Sequence, residues 1–587
     1  MLKKRIFQTS FLLCLGAFVF LFFYNPIWGG GDIWGHLSTG KWITEHFQVP
    51  HYDVFPFADE KTPWLCHNEW LGSVLLYLIV KCFGLLGLKV FRSVFCILII
   101  SILFGYSYKR LPFSFLTSLL VLGTLGLEIL GRTLRPDMFN YFFIPVFLII
   151  LFDHEDTGNR KKLWILPVLS LVWFNIHLGS LVFGMSILSI FFLSACIRCS
   201  VRQIKDLALI GLACLAGFMV NPYGMEGFVY PFKVFFFPGY IGYYKFVNLI
   251  TEAQPAGYIF TSWAYFYYFI LLAWAALVLF FNKKNNFTLA ILLAVSLFSF
   301  LYFQRNSAFF AVVCAYVIAD GSRRIKINEF WQSFRFSKTA DGLLLAGAAL
   351  FLLTQSAAIW LHQSYSNGRI VNNRFIVVDH VSQGPVQLLI KNNIKGPVFN
   401  NTMGGQMIWS AYPDLKPFHD WRNFPERFNN QMAVFQNPPE VWPQALKDYH
   451  FKIVVLSTTD PMELNFLKYL GTQRDWQLIA LCGNNVTYVK RGEFHLTEEL
   501  DRFEARLKSS VVTADDLRTL KKLSQPGRIP MFTPLLQAGD IDLYLSVFAL
   551  YGLDYKAAAV KDLIRVLKIS DQSEIRYTAG LILKQFE

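Results

Sequence analysis

The chain has 587 residues, of which 54% are hydrophobic and only 16% charged, with a mean hydropathy of +0.39. Soluble domains carry about 25% charged residues, so the composition excludes a wholly water-soluble protein. The net charge of +14 does not indicate nucleic acid, because Lys and Arg fall in short gaps between apolar runs and form no basic stripe interleaved with aromatics.

The N-terminus, MLKKRIFQTSFLLCLGAFVFLFFY, starts basic like a signal peptide but lacks a small-residue cleavage site, and it is read as a retained anchor. Further apolar segments lie at 88–107, 112–130, 138–153, 163–176, 179–197, 206–220, 263–281, 286–303, 308–320 and 342–361. A bilayer crossing takes about 20 residues, and these segments predict a polytopic α-helical membrane protein of about 11–13 spans. The stretch 70–86 reads either as a span or as a helix that enters and leaves on one side.

Charge orients the bundle. With Lys3, Lys4 and Arg5 cytoplasmic and 70–86 not crossing, the cytoplasmic loops hold Lys109, Arg110, Arg160, Lys161, Lys162, Arg198, Arg202, Lys205, Lys283, Lys284, Arg323, Arg324 and Lys326. Full crossing by 70–86 would reverse that bias, against the positive-inside rule. The scheme makes the N-terminus cytoplasmic and places the C-terminal part outside the cytoplasm; an inner (plasma) membrane is the expected location. The polar loops 25–87, 131–139, 174–180, 221–263 and 303–308 then share the outer face, where binding and catalysis are expected.

Domain boundaries follow composition. Residues 1–361 read as the transmembrane domain, with a first outer loop at 25–87. Residues 362–492 read as an extracytoplasmic α/β domain, with strands at 396–401, 416–420, 451–459, 476–481 and 485–491 and helices at 439–449 and 460–470. Gly404–Gly405 in TMGGQMIW reads as a turn before a helix and not as a dinucleotide fingerprint. Residues 493–587 read as a short α-helical, repeat-like tail of amphipathic helices.

The cysteines are thinly spread, most of them inside apolar runs, and Cys196–Cys199 has no second pair with which to hold a metal. No GxSxG, HExxH or P-loop occurs, so serine-hydrolase, zinc-protease and ATPase chemistry have no footing. What remains is acid–base chemistry assisted by cations.

The densest cluster of titratable groups is the stretch 32–70, with Asp32, His36, Asp53, His67 and Glu69 among four tryptophans. Asp32 and His36 are four residues apart, so a helix here turns both one way. Three readings stand: a base with a tuned partner, two ligands of a divalent cation, or a helix-capping Asp beside a surface His. Arg132 and Arg135 at a span end suit a lipid-linked phosphate, or else snorkel to the interface. Arg305 in FQRN is a further anion contact. His177 follows Trp173 and Asn175 and reads equally as catalytic or as a buried, hydrogen-bonded His.

The segments DIWGHLSTGKWI (32–43), EWL (69–71), RPDMF (135–139), WFNIHLG (173–179) and NPYGMEG (221–227) resemble, in this order, a poorly characterised bacterial branch of the GT-C class of polytopic glycosyltransferases. The likeness covers roughly residues 1–320, and GGQMIWSAYPDLKPFHDWR is similar to that branch's outer domain. The resemblance implies transfer of a sugar from a polyprenyl-phosphate donor to a glycan, lipid or protein acceptor on the non-cytoplasmic face. It implies an acceptor-side role for Asp32, with His36 its nearest partner, and donor-phosphate roles for Arg132 and Arg135. Many GT-C enzymes carry adjacent acidic residues in the first loop, whereas Asp32 is followed by Ile33 and Trp34. A second carboxylate is therefore sought among Asp53 and Glu69, with His67 and His177 as further acid–base candidates, and any metal requirement stays unassigned. Against the enzyme stand two other classes: an envelope scaffold whose outer domains bind partners, and a transporter, which the scarcity of mid-span charge disfavours.

Overall fold

The computed structural model describes residues 2–24, 32–57, 64, 69–110, 134–236, 266–281, 287–303, 306–324, 342–350, 352–353, 371–372, 375–376, 384–401, 403–420, 425–524, 538–569 and 579–584. The chain forms two compact units. One comprises Met1–Tyr24, Thr39–His51 and Pro63–Ile359; the other comprises Asn25–Ser38, Tyr52–Thr62 and Trp360–Glu587.

The described residues of the first unit are helical apart from short turns and connections. Its described elements are α1 (Leu2–Tyr24), the second half of α2 (Asp32–His46), α3 (Trp70–Arg110), α4 (Asn140–Thr157), α5 (Ile165–Ile176), α6 (Ser180–Ile197), α7 (Val201–Met219), α8 (Gly224–Phe236), α9 (Phe266–Phe281), α10 (Phe287–Tyr302) and α11 (Ser307–Arg324). Helix α11 is buried on every side from Phe309 to Asp320, as expected of a helix that is apolar all round. Tyr316 on it donates to the Pro145 carbonyl of α4 at 3.1 Å. Close backbone approach joins α2 to α3: a Cβ on Gly40 would strike the Ser73 carbonyl and the Tyr77 Cβ.

Helix α3 contains the ambiguous stretch 70–86. It consists of two helical arms joined at Gly84, whose φ of 66° and ψ of −172° break the helix in a region that only glycine enters freely. Among the described residues three helices are long and apolar enough to cross a membrane: Trp70–Leu103, Pro136–Thr157 and Ser180–Ile197. The bent pair Val201–Met219 and Gly224–Lys233, at 109°, would add a fourth. Four more apolar helices are shorter, and the expected span at 112–130 lies outside the described residues. The protein is a membrane protein, with fewer full-length spans among these residues than the hydropathy reading expected.

One sequence expectation changes here. The segment 221–232 was expected as an outer loop, but it is a tight corner followed directly by helix α8. Asn221 forms the corner: its Oδ1 accepts from the Tyr223 N–H at 2.9 Å and its Nδ2 donates to the Gly224 carbonyl at 3.0 Å. Pro222 cannot continue α7, and Gly224 takes a positive φ of 56°. The aromatic residues that follow then restart the helix.

The second unit is built on a five-stranded mixed sheet. Beyond a two-residue ladder of β1 (Val371–Asn372) and β2 (Phe375–Ile376), its strands are β3 (Gly396–Asn400), β4 (Leu415–Pro417), β5 (Ile453–Ser457), β6 (Trp476–Cys482) and β7 (Asn485–Lys490), in the order β4-β3-β5-β7-β6. β4, β3 and β5 are parallel, and β7 runs antiparallel to both β5 and β6. Alternation along each strand sorts two cores. Phe399, Val454, Leu478 and Tyr488 join one, with Phe418, Trp442, Phe451, Phe466 and Trp476. Val398, Ile453, Val455 and Val489 join the other, with Leu389 and Met407. Helix α13 (Gly404–Ala411, following α12, Gly384–Lys391) starts after Met403 in the left-handed region, and Gly404 is required because a Cβ there would strike the His419 carbonyl. The C-terminal helices build a third cluster around Leu520, Leu550 and Leu563.

First-loop residues complete this unit. Phe57 is 7% exposed inside the aromatic core, against Phe418 and Phe451, with Arg427 lying over its ring at 5.6 Å.

Candidate active site

Within the first unit, four of the sequence motifs meet at one place. Glu69 and Trp70 begin α3, and these adjacent residues hold the end of α5 at two points. The Glu69 Oε1 lies 3.3 Å from the His177 Nε2, and the Trp70 Nε1–H donates to the Asn175 Oδ1 at 2.8 Å. Asn175 is buried and spends its own amide N–H groups on the carbonyls of Leu171 and Val220, each at 2.8 Å. The second of these carbonyls immediately precedes the Asn221 corner. The RPDMF segment closes the group from the side: a Cβ on Gly72 would lie 2.7 Å from the Pro136 Cβ and 3.0 Å from the Ile176 carbonyl.

His177 ends α5 in extended backbone (φ −151°, ψ 119°), which turns its ring out of the helix. Its Nδ1 lies 3.3 Å from the Asn140 Nδ2, and the Asn140 Oδ1 accepts from the Trp173 Nε1–H at 2.7 Å. Trp173 is fully buried and stacks on Phe143 at 5.3 Å. Gly179 leaves room for the imidazole, since a Cβ there would sit 2.7 Å from the His177 Cε1. Exposure falls along this chain of contacts, from Glu69 (24%) through His177 (12%) and Asn140 (8%) to Trp173 (0%). The arrangement presents one carboxylate at the rim, backed by an imidazole and an amide. Chemically it can hold a carboxylate in a fixed orientation and accept or pass a proton there.

Arg135 is half-buried and extended (φ −137°, ψ 161°) before Pro136, which opens the 3-10 turn Pro136–Phe139, as a residue preceding proline is constrained to be. Arg132, Arg305 and His67 lie outside the described residues. A further contact joins this unit's NPYG corner to the loop after α2: the Tyr223 hydroxyl donates to the Pro50 carbonyl at 2.9 Å and its ring meets His51 edge-on at 5.2 Å.

In the second unit, Asp32 and His36 are half-buried on the first turns of α2, where Ile33, Trp34 and Leu37 are buried and Trp34 lies 6.3 Å from Trp409. Asp53 has a local task. Its Oδ1 accepts from the Phe55 N–H at 2.8 Å, making a turn that sets Phe55 edge-on against Tyr412. Among the described residues no group of three or more His, Cys, Asp or Glu side chains is arranged to hold a metal ion, so the divalent cation left open by the Asp32–His36 spacing gains no ligand set from them.

Sequence reasoning missed Asn140 and the pairing of Trp70 with Asn175. The signal for Asn140 was its place directly after RPDMF, one residue beyond the motif.

No protein-family model and no curated protein sequence matches the chain. Among solved structures, it is similar to the archaeal oligosaccharyltransferase AglB from Archaeoglobus fulgidus in complex with an inhibitory peptide and a dolichol-phosphate, with a TM-score of 0.51 and 12% identity over 77% of this chain and 70% of that one. The apo form of the Archaeoglobus fulgidus oligosaccharyltransferase aligns at a TM-score of 0.47 and 11% identity, over 77% and 69%. At 12% identity the likeness to AglB is one of fold.

Proposed function

We propose that the protein is an integral-membrane glycosyltransferase of the GT-C type, from a bacterial branch of that class. It moves a sugar from a polyprenyl-phosphate-linked donor to a glycan, lipid or protein acceptor on the extracytoplasmic face of the inner membrane. The observation that carries this reading is the convergence of the EWL, RPDMF, WFNIHLG and NPYG segments around Glu69 and His177. The fold of AglB, whose complex holds a dolichol-phosphate, supports it.

The residues divide the work as the chemistry requires. The acceptor hydroxyl attacks the anomeric carbon, its proton passing to a carboxylate, and the bond from that carbon to the polyprenyl-phosphate oxygen breaks. Asp32 is the proposed acceptor-side base, with His36 four residues on; within the first unit, Glu69 with His177 behind it is the further acid–base candidate. The local turn made by Asp53 favours Glu69 over it for this role, and His67 remains a supporting acid–base residue. Arg135, together with Arg132 and Arg305, meets the charge that develops on the departing phosphate.

The test compares cell-envelope glycans and lipid-linked sugars by mass spectrometry with and without the protein. The expected result is accumulation of one lipid-linked sugar and loss of one glycan, reproduced by Asp32→Asn at wild-type abundance. Full transfer by Asp32→Asn would remove that residue's role, and unchanged glycans and lipids would remove the function. A chain lacking residues 493–587 separates the enzyme from a scaffold: the enzyme keeps turnover, whereas a scaffold loses its effect without any change in lipid-linked sugars.

A further inference from the structure

We infer that Asn140 and Trp173 are positioning residues that hold His177 in its neutral, Nε2-protonated tautomer, with the N–H directed at the Glu69 carboxylate. An indole nitrogen only donates, so the Trp173 Nε1–H at 2.7 Å must face the oxygen of the Asn140 amide. That fixes the other end of the amide as NH₂, and this NH₂ lies 3.3 Å from the His177 Nδ1. A donor facing Nδ1 requires Nδ1 to be the acceptor, so the ring proton sits on Nε2. Nε2 lies 3.3 Å from the Glu69 Oε1, and an ionised carboxylate accepts. Each group in the row therefore donates or accepts in only one way.

The alternatives fail at an identifiable atom. A proton on Nδ1 would set N–H against NH₂. Turning the amide over to relieve that would set NH₂ against the buried indole N–H. A doubly protonated imidazole meets the same obstacle. Four features keep the row in place: the burial of Trp173, its stack on Phe143, the burial of Asn140, and the space that Gly179 leaves beside the ring. His177 thus acts as a neutral donor that aims the Glu69 carboxylate, and not as a cation beside it.

The tautomer stands on geometry alone; its consequence for catalysis rests on the glycosyl-transfer reading. Full-length protein labelled with ¹⁵N-histidine and reconstituted in lipid vesicles, compared by solid-state NMR with His177→Gln to assign the signal, reads the tautomer directly. An unprotonated Nδ1 and a protonated Nε2 are expected in the wild type, and a protonated Nδ1 would overturn the inference whatever the protein's activity. Asn140→Asp replaces the donor facing Nδ1 with an acceptor and should add a proton at Nδ1 while Nε2 keeps its own toward Glu69, whereas Trp173→Phe keeps the stack, frees the amide to turn and should give a mixture of tautomers. A signal that neither variant moves would overturn the role of the Asn140–Trp173 pair. Transfer should fall at least tenfold in Asn140→Asp. Unchanged transfer in Asn140→Asp alongside a protonated Nδ1 would overturn the positioning role while leaving the wild-type tautomer intact, and absence of transfer from the wild type itself would count against the glycosyltransferase reading only.

Discussion

The two ends of helix α4 are held in opposite ways. At its Thr157 end, charges are matched against charges. Glu155, 6% exposed, receives Arg198 at 2.7 Å and the Thr288 hydroxyl at 2.9 Å, and Thr288 in turn meets Ser194. Asp206 pairs with Arg160 at 2.8 Å, with the His154 ring 3.6 Å away, and Asp153 pairs with Lys162. At the Asn140 end the holding groups are neutral, two indoles and two amides, and the carboxylate and imidazole that they surround lie at a partly open rim. Both ends would satisfy the need of buried polar groups for partners. Only the second leaves a carboxylate beside neutral donors, where an incoming group can still change its environment. Basic residues that the sequence presents as a topology signal, Arg160 and Arg198, are in the fold also stitches between helices.

The comparison breaks most sharply at Glu69. Glu69→Gln keeps the size of the side chain but removes its charge, and transfer from lipid-linked sugar should fall about 100-fold or more, the scale of general acid–base catalysis, with the melting temperature in detergent unchanged. Arg198→Ala should do the reverse. It removes the Arg198 partner of the buried Glu155 carboxylate, a loss on the order of 1–3 kcal/mol, and should lower the melting temperature while turnover per folded molecule stays the same. If Arg198→Ala also abolished turnover, the division between a structural end and a chemical end would be wrong.

A smaller effect is expected at Gly179. Gly179→Ala places a Cβ 2.7 Å from the His177 ring and should slow transfer about tenfold through misplacement alone. Gly211→Ala, with nothing within 4 Å of the new methyl, is the matched control on α7 and should leave transfer unchanged.

The smallest predicted effect lies in the second unit, where a histidine has neither arrangement. Burial, the largest influence on His419, holds its pKa below the ordinary value near 6.5, with Asp420 raising it and Arg427 lowering it further. Between the depressed native value and about 6.5 the unfolded chain binds more protons, so stability rises with pH across that window and is lost as pH falls through it. Below the native value both states are protonated and the dependence stops. Unfolding of the full chain measured between pH 7 and pH 5 should show this loss, and His419→Gln should flatten it; an equal slope in the variant would assign the dependence to other groups.

The sheet of the second unit was readable in advance because its cause is local. Runs such as FKIVVLSTT and NVTYVK place apolar side chains on both faces, and the strands at 453–457 and 485–490 form where those runs stand. The four-residue spacing of Asp32 and His36 raised a helix there only as a condition, and the structure forms it over Asp32–His46. NPYG misled because Asn, Pro and Gly mark a turn without saying how long it lasts: one Asx turn is enough, and the chain returns to helix at Gly224. Asp53 looked equal to Glu69 as a carboxylate. Its bond to Phe55 two residues away shows that the same side chain can serve as a turn residue.

Sequence alone determined the membrane character, the strand positions and the order of the short motif segments, since hydropathy, strand alternation and motif order belong to a contiguous stretch of chain. Tertiary structure decided which of those segments touch. Glu69 and His177 are 108 positions apart, Asn140 and His177 are 37 apart, and nothing in the intervening residues dictates the pairing. The physical reason is directional: a hydrogen bond has a donor end and an acceptor end. The protonation of His177 was therefore fixed only once the fold had set the Trp173 indole against the Asn140 oxygen.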